Sequence, residues 1–168
     1  MSYQALRDAN TARQQDSSYN CQDWTFDDWL LATMGEWGEL QNYLKKVRRG
    51  DFPLADAIGA IGEEMADVVI YLEGLTIHIQ PDFVLQPDTE YYEHYMRCSP
   101  DTIAGQCSLL TAAFGDLLYS KESPQLNLRL IVGMLEDLAT ELGLNLHAEV
   151  RDKFNEVSSR VGSYVRMI

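Results

Sequence analysis

The sequence predicts an all-α fold, an antiparallel helical bundle of about five to six helices. Three observations carry that expectation. Bulky apolar residues recur at steps of three, four and seven along most of the chain. No apolar–polar alternation persists over the length of a strand. The 168 residues suffice for one domain, which at this size buries roughly 68–70% of its unfolded surface without disulfides or zinc.

The elements follow in order. The first fifteen residues form a weakly amphipathic helix. From Thr25 to Arg49 the apolar positions are Phe26, Trp29, Leu30, Trp37, Leu40, Leu44 and Val47. Thr25 is the N-cap, with Asp28 three residues on. Lys45, Lys46, Arg48 and Arg49 gather where a helix C-terminus favours cations, and Gly50 stops the helix. A second long helix runs from about Leu54 to Ile79, opened by Asp51 or Pro53, with Ile58, Ile61, Met65, Val68, Val69, Leu72 and Leu75 as its stripe.

Between Gln80 and Pro100 the pattern breaks. Pro81, Pro87 and Pro100 punctuate a long connection that holds Tyr91, Tyr92 and Tyr95 and has room for a short helix. Helical spacing resumes over Asp101–Lys121 and about Leu126–Leu142, with Pro124 between them and Gly143 at the end. A last helix spans about Leu146–Arg160. The chain reads as one domain without repeats.

Composition narrows function. Apolar residues make up 46% and charged residues 23%, which is globular rather than disordered. Thirteen Lys and Arg against 26 Asp and Glu give a net charge of −13. That argues against a nucleic-acid partner or an anionic membrane, both of which call for a basic footprint. A phosphate-bearing substrate stays open, because bound divalent cations invert the local field. Cys21, Cys98 and Cys107 form no CxxC, and His78, His94 and His147 form no HxxxH pair, so each reads as an ordinary residue. Met1 to Asp16 is polar with no apolar h-region, and the longest apolar run, around Met65–Leu72, contains Asp67. A cytoplasmic protein is the expectation.

Two helices carry the same acidic device. Glu36 and Glu39 stand at i and i+3 on the first long helix, and Glu64 and Asp67 do so on the second, so each pair shares a face. The stretch between the pairs holds the rest of one helix, a turn and the start of an antiparallel partner. Two such helices side by side aim four carboxylates at one point. Unpaired, these would repel and resist burial. A hard divalent cation resolves both problems, and Mg²⁺ prefers oxygen ligands while keeping waters for phosphates. One ExxE alone is ordinary on a solvated helix, and Glu90/Glu93 and Glu149/Asp152 read as surface pairs. Di-iron chemistry wants Glu-x-x-His, which is missing here. Gly35, Gly38, Gly59 and Gly62 interleave with the acids at a helix cost of about 0.8–1.0 kcal/mol each. The expected compensation is close helix approach beside the cluster, leaving room for a ligand.

The segments GEWGELQNYLKKVRRGD and IGEEMADVVIYL resemble the MazG-like, all-α nucleotide pyrophosphohydrolases, whose pattern is written EExxE…ExxD. The closing LEDLATELGLNLHAEVRDKFNEVSSRVGSYVRM resembles the last helices of their bacterial and phage members. The resemblance covers roughly residues 22–75 and 131–167. It departs from the family in two places. Gly35 stands where the longer pattern has its first Glu, and an insertion from about Thr76 to Leu130 interrupts what resembles one continuous helix elsewhere.

The resemblance implies hydrolysis of a nucleoside triphosphate between its α and β phosphates, releasing the monophosphate and pyrophosphate in nucleotide-pool housekeeping or regulation. Glu36, Glu39, Glu64 and Asp67 would bind one or two Mg²⁺, with Mn²⁺ able to substitute. Glu63, rotated about 100° around its helix, is either a base behind the ligands or a solvated acid, the latter preferred. Asn42 lies one turn beyond Glu39, suited to a phosphate or base contact, and Lys45 continues that line. Lys153, Asn155 and Arg160 match the family's closing segment and are candidates for phosphate contacts. One of Trp24, Trp29 and Trp37 is a candidate base-stacking platform, although aromatics at helical spacing usually build core. Family members pair their bundles, so a homodimer or homotetramer is expected, or a monomer if the insertion completes the bundle. The rival reading from another class is a catalytically silent helical module for nucleotide sensing or partner binding.

Overall fold

The computed structural model describes residues 2–87, 102–119 and 124–168. Six helices form, and no strand occurs among the described residues: α1 Tyr3–Gln14, α2 Phe26–Arg49, α3 Leu54–Ile79, α4 Ile103–Tyr119, α5 Pro124–Glu141 and α6 Leu146–Arg160. The tyrosine cluster Tyr91, Tyr92 and Tyr95, Glu90/Glu93, His94, Cys98 and Pro100 lie outside the described residues.

The helix ends follow from local chemistry. Thr25 and Asp28 close a reciprocal capping box, in which Thr25 N donates to Asp28 Oδ2 at 2.8 Å and Asp28 N donates to Thr25 Oγ1 at 3.4 Å. At the other end Gly50 adopts φ 81°, while Gly50 N bonds Val47 O and Asp51 N bonds Lys46 O, the Schellman pair. Pro53 is the residue before α3 and lacks a side-chain cap bond. Pro124, expected between two helices, is instead the first residue of α5, the position where its missing N–H costs nothing.

The chain divides into two compact units, one of Met1–Val84 with Leu144–Ile168 and the other of Leu85–Gly143. The second unit begins and ends later than the insertion expected over about 76–130. α3 runs unbroken through Thr76 to Ile79, and α5 continues to Glu141 before Gly143 turns the chain at φ 74°. Within the second unit α4 packs on α5, with Leu110, Ala113, Phe114 and Leu117 of α4 buried.

In the first unit α3 is the central element, packed by α2, α6 and α1. Trp29, Trp37 and Leu40 of α2, Ile61, Met65, Val68 and Leu72 of α3, Val150 and Phe154 of α6, and Leu6 of α1 build its core. Two of the three tryptophans are therefore core. Trp29 lies so close over Gly74 that a Cβ there would meet its ring at 2.3 Å. α1 is tied to α3 by buried polar groups that the sequence pattern does not reveal. Arg7 pairs with the fully buried Glu73 and donates to the carbonyls of Pro81 and Phe83, and Asn10 Nδ2 donates to Ile70 O at 2.9 Å.

The expected close helix approach at the glycines is found at one of the four. A Cβ at Gly35, Gly38 or Gly59 would meet nothing within 4 Å, whereas one at Gly62 would lie 2.9 Å from the Glu149 carboxylate. This also corrects Glu149, which is half-buried on α6 against Gly62 rather than a surface acid; Asp152 is exposed as expected.

Candidate metal centre and its cavity

α2 and α3 bring three of the four expected carboxylates together. Ligand oxygens of Glu36, Glu64 and Asp67 all lie within 4.8 Å of one another. The i, i+3 spacing sets Glu64 and Asp67 on one face of α3, and Glu36 faces them from α2. Glu39 is exposed and outside that cluster, although its charge is felt by both Glu36 and Glu64.

Crowding of like charges in a partly dry setting has the effect elementary electrostatics requires. Burial, then the charges of Asp67, Glu64 and Glu39, push Glu36 up to about 7, and its protonated carboxyl hydrogen-bonds Glu64. Burial and the charges of Glu39 and Asp67 also raise Glu64. Asp67 is raised by burial in spite of Lys153. Three carboxylates so placed, each resisting its full negative charge, could hold a hard divalent cation.

Lys153 reaches this cluster from α6. Its Nζ lies 3.1 Å from Asp67 Oδ2 and 3.2 Å from Glu63 Oε2. Burial lowers the ammonium's pKa, but the charge and hydrogen bond of Asp67, with those of Glu63, overcome this and raise it. Glu63 is 57% exposed and engages Lys153, in keeping with a solvated acid.

Beside the acids lies a cavity of about 320 Å³. Glu36 and Asp67 line it, together with Arg160, Trp24, Tyr71 and the buried Arg13. Trp24 and Tyr71 stack nearly parallel, 16° apart with centroids at 6.1 Å. Of the candidate stacking platforms, Trp24 alone lines the cavity. Cys21 also lines it, and burial pushes its thiol up to about 12, so it is a neutral wall at physiological pH.

The remaining expected binding residues are placed elsewhere. Asn42 is half-buried and Lys45 exposed on α2, and neither lines the cavity. Lys45 lies toward the C-terminal end of α2, where its charge reaches Asp51. Asn155 commits both halves of its amide to Met167. Its Nδ2 donates to Met167 O at 2.9 Å, and its Oδ1 accepts from Met167 N at 2.8 Å. It therefore clamps the C-terminal segment rather than facing a ligand.

Arg13, Tyr19 and Tyr71 are cavity residues that pattern reading missed. Tyr71 carried a usable signal, since it follows Asp67 by one helical turn on the same face. Arg13 and Tyr19 carried none, because their neighbours come from a distant helix and an irregular connection.

No family model matches the chain, and no curated protein or solved structure matches it.

Proposed function

We propose that the protein is a divalent-metal-dependent nucleotide pyrophosphohydrolase that cleaves a nucleoside triphosphate to its monophosphate and pyrophosphate. One observation carries the reading: Glu36, Glu64 and Asp67 converge from two helices, and two of them wall a cavity with a cation and an aromatic platform. The resemblance of the acidic segments to the MazG-like enzymes supports the same reading.

On this proposal Glu36, Glu64 and Asp67 hold Mg²⁺, or Mn²⁺ in its place, and Glu39 turns inward from the α2 surface to complete the set. The ion, when bound, lowers the pKa of a nucleophilic water and neutralises the triphosphate. Arg160, on the cavity wall, offers its guanidinium to phosphoryl oxygens. Lys153 releases Asp67 and turns its ammonium to the same oxygens. Trp24 and Tyr71 provide the flat surface for the base.

The test is incubation with each canonical and modified ribo- and deoxyribonucleoside triphosphate in Mg²⁺, measuring pyrophosphate against orthophosphate. Pyrophosphate with the monophosphate is expected. Orthophosphate alone, or no turnover with any nucleotide, would overturn the assignment. A catalytically silent nucleotide-sensing module is the second reading, favoured by Lys153, which already offsets the Asp67 charge without an ion. It predicts nucleotide binding with no cleavage and no thermal stabilisation by Mg²⁺.

A further inference from the structure

The cavity beside the acids has two walls that are distant in sequence. One is the connection between α1 and α2, through Ser18–Cys21. The other is the end of α6 and the turn after it, through Val157 and Val161. A single carboxylate joins them. Asp16 Oδ1 accepts from Ser18 N at 2.9 Å and from Ser18 Oγ at 2.8 Å, while Asp16 Oδ2 accepts from Ser163 Oγ at 2.6 Å. Ser18 lines the cavity itself, and Ser163 follows the cavity residue Val161 by two positions. The Ser163 hydroxyl, then the Ser18 donors and the Tyr164 N–H, hold the Asp16 carboxyl below the usual carboxylate range. It is therefore ionised at neutral pH, and an ionised acceptor makes the stronger hydrogen bonds.

The two sides of this contact are held differently. The 163–168 segment belongs to no helix or strand, yet Ser163, Val165 and Met167 are buried while Tyr164, Arg166 and Ile168 are exposed, the alternation of an extended strap. Side chains satisfy its backbone. The Asn155 amide takes both polar groups of Met167, and Arg166 Nη1 donates to the carbonyls of Ser163 and Val165. The opposite wall has fewer ties. Tyr19 anchors it from within, over Arg13 and hydrogen-bonded to Tyr71. Its other bonds run back to Asp16, whose carbonyl accepts from Tyr19 N at 2.9 Å and from Gln22 Nε2 at 2.6 Å. The place of Asp16 thus sets the place of the wall, and Ser163 sets the place of Asp16.

Resting on the nucleotide reading for the ligand, we propose that Asp16 and Ser163 are positioning residues. They latch the two walls of the cavity at the separation that grips the nucleotide.

The test uses the thiol of Cys21, a wall residue only 5% exposed. Its alkylation by N-ethylmaleimide at pH 8 is followed by mass spectrometry of the tryptic peptide that carries it. Asp16→Ala and Ser163→Ala should each speed labelling at least tenfold. The double variant should label within twofold of the faster single, because both changes remove the same contact. Leu44→Ala truncates a buried side chain toward the C-terminal end of α2 and serves as the control for lost stability; its Cys21 rate should stay within twofold of the parent's. Calorimetric titration with AMP, GMP, UMP and CMP, without divalent metal, should show the tightest binder weakened at least tenfold in Ser163→Ala and in Asp16→Ala. Unchanged Cys21 rates in both single variants, an equal rise in Leu44→Ala, unchanged affinity, or binding of no monophosphate to the unaltered protein would overturn the proposal. A lack of pyrophosphate release from triphosphates would overturn the hydrolase reading and leave the latch standing.

Discussion

Lys153 Nζ stands 3.1 Å from Asp67 Oδ2, so an ammonium from α6 occupies one face of a carboxylate proposed as a metal ligand. Both side chains are largely buried, at 13% and 15% exposure, which makes the contact stronger than a surface pair. Lys153→Met should lower the stability of the metal-free protein by about 1–3 kcal/mol at pH 7.5. Mn²⁺ should then restore more stability to the variant than it adds to the parent, because no ammonium competes for Asp67. Urea midpoints with and without Mn²⁺ measure both, and equal Mn²⁺ shifts would contradict the competition.

The carboxylate cluster sets a pH dependence. Glu36 has its pKa raised from 4.5 to about 7 in the folded chain, so the native state holds a proton that the unfolded chain has released between those values. Its contribution is fully present below pH 4.5 and is lost as pH rises through about 7. Melting temperature of the metal-free protein should fall across that window by a few degrees. Glu36→Gln should flatten the fall, and so should saturating Mn²⁺ at the upper end. A profile unchanged by Glu36→Gln would place the titrating group elsewhere.

Glu39 offers a separate check on the metal set. It lies outside the 4.8 Å cluster but close enough to act electrostatically on Glu36 and Glu64. Glu39→Gln and Asp67→Asn should each reduce turnover at least a hundredfold, with circular dichroism unchanged. Activity retained in both variants would rule out the metal role.

Glycine substitutions should split by position. Gly74→Ala would force a methyl into the Trp29 ring and should cost about 1–3 kcal/mol, read as a lower urea midpoint. Gly59→Ala meets open space on an exposed helix face and should add about 0.5–1 kcal/mol. A loss at Gly59 as large as that at Gly74 would show that something covers this face.

Sequence pattern reached what is local. The ends of α2 are written within a few residues of themselves, in Thr25 with Asp28 and in Gly50 after a basic turn, and the pairing of acids at i, i+3 is likewise local. Periodicity says which residues share a face but not what covers it. Gly35, Gly38 and Gly59 therefore read as contact points yet meet nothing within 4 Å, and Glu149 reads as solvated yet is half-buried against Gly62. The same gap hid Arg7 and Arg13 in a helix that reads as polar. Their partners, Glu73 and Phe154, belong to other helices, and nothing near an arginine in sequence announces its burial. Trp24 and Trp29 look alike in the sequence, yet one lines a cavity and the other fills a core.

The contact between Glu63 and Lys153 spans a separation of 90 residues, and the Asp67 contact is nearly as distant. At about 5–20 residues per second, the acids of α3 are made roughly 4–18 s before their ammonium. For that interval a nascent chain carries the acids of α3 without the ammonium that pairs with them in the folded protein. On the metal reading proposed above, an ion held by Glu64 and Asp67 would offset their repulsion before Lys153 joins the chain.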